Sequence, residues 1–185
     1  MENSREKLRA FLCVDLPAQA KESISSLDKQ FHSKLRFVSE DNMHVTLLFL
    51  GDIGQKELVA TRSAMDKLDH GAFNFSIKGI GAFASSRPRV VFAKIDEGAE
   101  EFKDVYNQLS AGLKAAGIRT DARSFVPHVT IARVKTIDDK KELTKFVKYN
   151  ENTAFGNWVC SEIKLKRSVL TQSGPVYSEL YVRSL

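Results

Sequence analysis

The chain has little cysteine, which gives no support to a disulfide-bonded or secreted protein. Its 185 residues include two cysteines, Cys13 and Cys160, each in an apolar, strand-like stretch and without a CxxC pair. Cysteines in such stretches are usually buried thiols. We therefore expect two free, buried cysteines and a protein of the reducing cytoplasm.

Long apolar segments are also missing. The first apolar stretch, residues 8–16, is short and is interrupted by Arg9 and Asp15. A membrane-spanning helix needs about 20 consecutive apolar residues. Neither a signal peptide nor an association with a membrane is expected.

The net charge is small and excludes no class of partner. The 28 basic and 23 acidic residues leave a net charge of +5, which weakly favours an anionic partner. With 43% hydrophobic and 28% charged residues, the composition is that of an ordinary globular protein. The length fits a single domain spanning residues 1–185, with two lobes that share a core, and we expect a monomer.

What the chain does contain is one short motif twice. His44-Val45-Thr46 is followed 84 residues later by His128-Val129-Thr130, and an aliphatic stretch follows each copy. Valine, isoleucine and threonine favour strands, on which residues i and i+2 share a face. Each histidine is therefore expected beside its own threonine, with the intervening valine turned away.

The rest of the chain alternates between helical and strand-like patterns. Apolar residues at helical spacing predict four helices, at residues 18–34, 55–68, 99–116 and 138–149. Alternating or β-branched stretches predict strands at the two motifs and at residues 8–16, 35–38, 73–83, 90–95, 159–170 and 176–183. The succession of strand, helix and motif strand recurs before and after about Phe83. We therefore predict two α+β lobes related by a pseudo-twofold axis, with both motifs facing one cleft.

Two imidazoles and two hydroxyls in one cleft suit a displacement at phosphorus. An ordinary imidazole titrates near pH ~6.5, so one can accept a proton from the attacking oxygen while the other donates one to the leaving oxygen. A threonine hydroxyl can donate to a non-bridging phosphate oxygen. The residues alone do not decide which of His44 and His128 is the acid. Thr46 and Thr130 are the candidate phosphate ligands.

A metal site and a serine triad are the alternatives for a catalytic centre. A catalytic zinc ion usually has three protein ligands. The remaining histidines, His32 and His70, lie among charged residues on or beside predicted helices, and the chain has neither an HExxH nor a GxSxG sequence. No metal or other cofactor is therefore expected.

The two copies differ five residues after the histidine, where the first has Phe49 and the second has Arg133. Strict alternation would place Arg133 on the face opposite His128, so it reaches the cleft only if the strand ends, twists or bulges. In the cleft its guanidinium would bind phosphate. Outside the cleft it would be a solvated edge residue, and the pattern leaves both interpretations open.

The motifs and their flanks resemble one family, the bacterial and archaeal RNA 2′,3′-cyclic phosphodiesterases of the 2H phosphoesterase superfamily, historically called 2′-5′ RNA ligases. The resemblance runs from about residue 8 to the C-terminus and is carried by residues 9–12 with Pro17, 42–51, 81–83, 87–91, 125–133 and 174–177. It implies an α+β fold of two pseudo-symmetric lobes, whose antiparallel sheets flank a central cleft with the helices outside.

The resemblance also implies an activity and a role for each motif residue. The activity is metal-independent hydrolysis of a 2′,3′-cyclic phosphate at an RNA end, which leaves a 2′-phosphomonoester. His44 would be the proton donor to the departing 3′ oxygen, and His128 would be the proton acceptor that activates water. Thr46, Thr130 and Arg133 would hold the phosphate.

The expected partner is an RNA with a 2′,3′-cyclic phosphate end, of which a tRNA-derived end is one example. Phe49 and Phe125 flank the motifs and are candidates for stacking on a nucleobase. Two alternative functions remain: formation of a 2′-5′ bond between RNA ends at the same site, and binding of RNA ends without turnover. Intact histidine–threonine pairs argue against binding alone, because lysine or arginine would suffice for it.

Overall fold

Nine strands and four helices alternate along the residues that the computed structural model describes, which are 7–30, 35–83, 88–120, 124–134, 140–172 and 174–185. The strands are β1 (Leu8–Asp15), β2 (Leu35–Phe37), β3 (His44–Ile53), β4 (Phe73–Phe83), β5 (Val90–Ile95), β6 (His128–Val134), β7 (Ala154–Cys160), β8 (Glu162–Thr171) and β9 (Gly174–Ser184). The helices are α1 (Ala18–Ser25), α2 (Gln55–Asp66), α3 (Ala99–Ala115) and α4 (Lys140–Tyr149). Both histidine motifs lie on strands, as predicted.

The strands form one sheet that narrows to a single residue pair in its middle. Their order is β7-β4-β5-β6-β3-β1-β8-β9, with β2 also paired to β6, and every pairing is antiparallel. The two motif strands β3 and β6, both fully described, are neighbours, but a single residue pair, Val45 with Val129, joins them. The sheet therefore divides into two antiparallel halves that meet at the motifs, which confirms the predicted fold class.

The two lobes are not the two halves of the sequence. Strand β4 follows the first motif along the chain but pairs with β5 and β7 in the lobe of the second motif. In exchange, β8 and β9 follow the second motif but extend the lobe of the first through β1. The recurring order of elements before and after Phe83 indicated the pseudo-symmetry. The boundary between the lobes, however, does not fall at Phe83, because each lobe contains strands from both sides of it.

Helices α2 and α3 cover the sheet with the apolar stripes that their spacing predicted. Helix α2 contacts α3, β3 and β9, and α3 also contacts β3. The stripe residues are almost fully buried; they are Leu58, Thr61 and Met65 for α2, and Phe102, Val105, Leu109 and Leu113 for α3. Leu68, predicted as the last residue of the α2 stripe, is buried too but lies two residues beyond the end of the helix. Burying a large aliphatic or aromatic side chain stabilises the fold by about 1.5–3 kcal/mol. None of the described helices is long and apolar enough to cross a membrane.

Some predicted boundaries were wrong. The single strand predicted at residues 159–170 is two strands that meet near Ser161, because β7 pairs with β4 in one lobe and β8 pairs with β1 in the other. No glycine or proline marks the change of strand, so the pattern does not reveal it. Helix α1 ends at Ser25 and continues as a 3-10 turn to Gln30. Residues 31–34 and 138–139, predicted as parts of the first and fourth helices, lie outside the described residues, as does His32.

The prediction for the cysteines is confirmed. Cys13 on β1 and Cys160 at the end of β7 are both free and buried. Burial raises the pKa of each thiol to about 12. A thiol with so high a pKa is a weak nucleophile at neutral pH, so both cysteines belong to the packing of the fold.

Candidate active site

The pairing of β3 with β6 brings the two motifs face to face. In an antiparallel pair with Val45 opposite Val129, the register places His44 opposite Thr130 and Thr46 opposite His128. Both valines are fully buried on one face of the sheet. The histidines and threonines therefore share the other face, and each histidine has one threonine beside it on its own strand and another across the strand pair.

A β-bulge follows the threonine in β3. Across the pair of β1 with β3, Cys13 is opposite Thr46 but Leu12 is opposite Leu48, so Leu47 is an extra residue. Leu47 and Leu48 are consequently both buried. The extra residue reverses the alternation that follows it and returns Phe49 to the face of the motif.

The same irregularity occurs at the equivalent position of β6. Across the pair of β5 with β6, Phe92 is opposite Thr130 and Val91 is opposite Ala132, which leaves Ile131 as the extra residue. Ile131 and Ala132 are both fully buried. Arg133 therefore returns to the cleft face. Without the bulge, strict alternation would have placed it on the opposite face.

A cavity of about 280 Å³ lies over this face of the sheet. Its lining includes His44, Thr46, Phe49, Thr130 and Arg133. The other wall comes from β2 and the turn after it, and from the start of β9; its residues are Arg36, Phe37, Val38, Ser39, Asn42, Gly174, Pro175 and Tyr177. Five of the seven predicted site residues thus line one cavity. His128 and Phe125 lie outside its lining.

Aromatic side chains enclose His44. Its ring centroid lies 5.0 Å from that of Phe11 on β1 and 5.5 Å from that of Tyr177 on β9. Burial is the main reason that the pKa of His44 falls to about 4, and the charge of Lys166 lowers it further. Asp15 and a hydrogen bond to the main chain of Asn42 act in the opposite direction. His44 is therefore neutral in the free protein at pH 7.

His128 has a similar enclosure in the other lobe. Its ring centroid lies 4.9 Å from that of Phe83 and 5.4 Å from that of Phe92. Its Nδ1 is 2.7 Å from the carbonyl oxygen of Val126. A carbonyl only accepts, so Nδ1 carries the hydrogen and Nε2 is left for chemistry. Burial lowers the pKa of His128, and the Val126 hydrogen bond opposes that effect.

The residues across the strand from the two histidines carry opposite charges. Asp15 on β1 is the register partner of His44, whereas Lys94 on β5 is the register partner of His128. Asp15 is itself ion-paired, with its Oδ1 2.5 Å from Nζ of Lys166 and its Oδ2 3.4 Å from Nζ of Lys164. The pseudo-symmetry of the backbone therefore does not extend to the electrostatics around the two imidazoles.

The two candidate stacking residues have different surroundings. Phe49 lines the cavity and exposes 56% of its surface, so a ring face is open to a ligand. Phe125 stacks on Tyr106 of α3, with ring centroids 4.4 Å apart and planes 6° from parallel. One face of Phe125 is therefore already covered, and the ring packs against the core.

Sequence reasoning did not select Arg36, Asn42 or Tyr177 as site residues, although all three line the cavity. Arg36 lies on a strand of three residues between Leu35 and Phe37, a pattern equally typical of a solvated edge strand. Asn42 and Tyr177 are far apart in the sequence and lie on the same wall of the cavity, where the Asn42 Nδ2 donates to the carbonyl of Pro175, 3.0 Å away. No local signal marks that contact. Among the described residues, no group of three His, Cys, Asp or Glu side chains is arranged to hold a metal ion.

Known proteins are similar to this chain in both sequence and fold. A model of the 2′-5′ RNA ligase superfamily matches residues 16–169. A Methanothermobacter thermautotrophicus protein called RNA 2′,3′-cyclic phosphodiesterase is 34% identical over 182 residues, which cover 95% of this chain and 98% of the relative. An Archaeoglobus fulgidus protein with the same name is 32% identical over 178 residues, covering 95% and 99%.

Two solved structures superpose over almost the whole chain. A Thermus thermophilus protein matches with a TM-score of 0.81 at 29% identity, covering 96% of this chain and 98% of that one. Escherichia coli LigT, crystallised with 3′-AMP, matches with a TM-score of 0.80 at 22% identity, covering 97% and 99%. At that identity the likeness to LigT concerns the fold alone.

Proposed function

Because the chain belongs to the 2′-5′ RNA ligase superfamily, we propose that it is an enzyme that hydrolyses the 2′,3′-cyclic phosphate at an RNA end and leaves a 2′-phosphomonoester. The observation that carries this proposal is the pairing of Val45 with Val129, which turns both histidine–threonine motifs to one face. The relatives called RNA 2′,3′-cyclic phosphodiesterases, which match over nearly their whole length, support the same activity.

In the proposed reaction, the cyclic phosphate binds between the two motifs. The hydroxyls of Thr46 and Thr130 donate to its non-bridging oxygens, and the guanidinium of Arg133 balances its negative charge. Nε2 of His128 accepts a proton from water as the water oxygen forms a bond to phosphorus. The bond from phosphorus to the 3′ oxygen breaks, and His44 donates a proton to that oxygen.

The neighbouring charges support this division of roles. Asp15 across the strand favours the protonated form of His44, as an acid requires. Within the described part of the chain no such carboxylate acts on His128, whose pKa is lowered by burial, which favours the neutral form that a base requires. Lys166 opposes Asp15, and burial keeps His44 neutral in the free protein. An anionic phosphate in the cavity adds a second negative charge beside His44 and raises the fraction that is protonated when substrate is bound.

The proposal extends to the substrate and to the protein as a whole. Phe49 would stack on the terminal nucleobase, since its ring is exposed at the cavity. We infer that residues 1–185 form one domain, because each lobe contains strands from both halves of the sequence. Strand β4 of the first half lies in the lobe of the second motif, and β8 and β9 of the second half lie in the lobe of the first. A monomer in a reducing cytoplasm and a tRNA-derived RNA end remain part of the proposal.

The test is hydrolysis of an RNA that ends in a 2′,3′-cyclic phosphate, with a chelator present throughout. We expect a 2′-phosphomonoester, identified by its phosphorus NMR signal, and unchanged activity in the chelator. His44→Ala and His128→Ala should each lower kcat by about 100- to 10,000-fold. His70→Ala is the matched control, because its Nδ1 pairs with the carbonyl of Gly71 outside the cavity.

Two results would contradict the proposal. Hydrolysis that survives both histidine substitutions would show that the histidines are not the catalytic groups. Loss of activity in the chelator, restored by a divalent metal, would replace the two-histidine mechanism with a metal-dependent one. A parallel reaction with an RNA bearing a 5′-hydroxyl measures 2′-5′ ligation, and we expect hydrolysis to dominate.

A further inference from the structure

A second arginine, Arg36, faces the same cavity as Arg133. The two are register partners across the pair of β2 with β6, and both line the cavity. Like charges directly opposite each other on neighbouring strands destabilise a sheet. Two arginines on paired strands beside one cavity are therefore suited to a ligand that carries more than one negative charge.

The two guanidiniums serve different parts of the cavity. The charge of Arg133 acts on the hydroxyl of Tyr177, whose ring is 5.5 Å from that of His44. Arg36 instead reaches Gly174, where its Nη2 is 3.3 Å from the position that a Cβ would occupy. Gly174 lies three residues before Tyr177 at the start of β9, about 10 Å along an extended strand. Arg133 thus acts at the side of the cavity where Tyr177 neighbours His44, and Arg36 is farther out, toward the β8–β9 turn.

The wall that carries Arg36 is held in place from two sides. The main-chain N–H of Val38 donates to the carbonyl of Ile131, 2.9 Å away, at the bulge of β6. On the other side, Asn42 donates to the carbonyl of Pro175. Arg36 is therefore positioned before a ligand arrives, which lowers the entropic cost of binding one.

The charge of the proposed substrate leaves Arg36 without a role at the reacting phosphate. A cyclic phosphodiester carries one negative charge, which Arg133 balances. A cavity of about 280 Å³ is also at the lower limit for enclosing a whole drug-sized ligand, roughly 300–1,000 Å³, so a polynucleotide must continue beyond it. The next negative charge along an RNA is the phosphate on the 5′ side of its terminal nucleotide.

We propose that Arg36 binds this upstream backbone phosphate, so that the enzyme prefers the end of an RNA chain over a free cyclic mononucleotide. The inference rests on the proposed function, since it takes the cyclic phosphate to bind beside the histidines. It assigns Arg36 a role in selecting the substrate and Arg133 a role at the reacting group.

The experiment compares two substrates with the same terminal nucleoside. One is the nucleoside 2′,3′-cyclic phosphate, and the other is the dinucleotide that ends in it. For Arg36→Gln we expect kcat/KM on the dinucleotide to fall about 10- to 100-fold, in keeping with the loss of a hydrogen bond to a charged group. On the mononucleotide the change should stay within about twofold. Arg119→Gln, which removes the same charge from an exposed position after α3, is the control.

A third substrate isolates the phosphate itself. In this dinucleotide a methylphosphonate, which has no charge, replaces the upstream phosphate. The wild-type protein should turn it over about as poorly as Arg36→Gln turns over the normal dinucleotide, and the substitution should cause no further loss. The dependence of log KM on log salt concentration should also weaken by about 0.7 in the variant, as expected for one lost phosphate contact on a single strand.

The outcomes separate this inference from the proposed function. If Arg36→Gln impairs both substrates equally, Arg36 acts at the reacting phosphate and the inference is wrong. If it impairs neither, or if the methylphosphonate reacts as well as the phosphate, Arg36 does not bind the upstream group. If the wild-type protein hydrolyses none of the substrates, the proposed function itself fails.

Discussion

Replacing Lys166 by methionine is expected to raise the pKa of His44. Lys166 is the strongest of the charges that lower this pKa, while Asp15 acts against it and Lys21 of α1 adds a smaller lowering effect. In the variant, the Asp15 carboxylate keeps Lys164 at 3.4 Å but loses its closer partner. Its negative charge is then less balanced and favours the imidazolium form of His44.

The structure sets the size of the effect. Burial is the main cause of the fall in the His44 pKa from 6.5 to about 4. The charge of Lys166 is the next cause after burial, so its removal should recover a part of this fall. A rise of about one unit in a pKa is a tenfold change in the protonated fraction. A pH of 7 is well above the pKa of His44 in the free protein, so activity that needs protonated His44 rises in proportion to its protonated fraction. We expect kcat/KM at pH 7 to increase about tenfold.

Two measurements check this reasoning independently. Titration of the His44 imidazole by NMR reports its pKa without reference to activity, and the pH dependence of kcat/KM for a cyclic mononucleotide reports the catalytic acid. Lys166→Arg keeps the charge and should leave both curves in place. Lys103→Met removes a similar charge from an exposed ion pair on α3 and should do the same.

Each measurement has its own contradicting result. An unchanged or lower His44 pKa in Lys166→Met would refute the electrostatic account of this site. A raised pKa without a gain in kcat/KM at pH 7 would leave the electrostatics standing but refute the role of His44 as the acid.

Three further changes test the packing and the site. Gly79→Ala should lower the free energy of unfolding by at least about 2 kcal/mol, seen as a fall in Tm of about 5 °C or more. The φ of Gly79 is +75°, and a Cβ there would overlap the main-chain carbonyl of Glu151 in the turn after α4. Gly71→Ala is the control and should leave Tm unchanged, because the space around Gly71 is open. The pKa of His44 is lowered from 6.5 to about 4 in the folded protein, so protonation at low pH favours the unfolded chain. The free energy of unfolding should therefore fall by about 3 kcal/mol as the pH is lowered from 6.5 to 4. Denaturant unfolding of His44→Leu should lack this loss. Phe49→Ala should raise KM for cyclic-phosphate RNA roughly tenfold, whereas Phe125→Ala should lower Tm with little change in KM, and the reverse pattern would exchange their roles.

The sequence predicted that each motif histidine shares a strand face with its threonine, because that pattern is local. His44 and Thr46 share a face through the two-residue period of a strand, and the same holds for His128 and Thr130. The apolar stripes of α2 and α3 were equally predictable, since a period of 3.6 residues is set by the helix itself. No information from another part of the chain was needed for either.

The position of Arg133 could not be predicted, because it depends on a bulge. One extra residue, Ile131, reverses the alternation and moves Arg133 to the cleft face. The equivalent bulge at Leu47 does the same for Phe49. Two successive apolar residues after each threonine are compatible with a bulge, but they are equally compatible with a strand buried on both faces.

By itself, the sequence determined which residue types come together and which chemistry they can perform. Two copies of histidine and threonine on strands predict acid–base chemistry at an anionic group, provided that the two copies face one cleft. Only the tertiary structure decided how the copies meet, because the bridge of Val45 to Val129 joins residues 84 positions apart. The same is true of the electrostatic difference between the two histidines. Asp15 and Arg36 reach the site through strand pairings, and a pairing partner is not encoded in the local pattern of either strand.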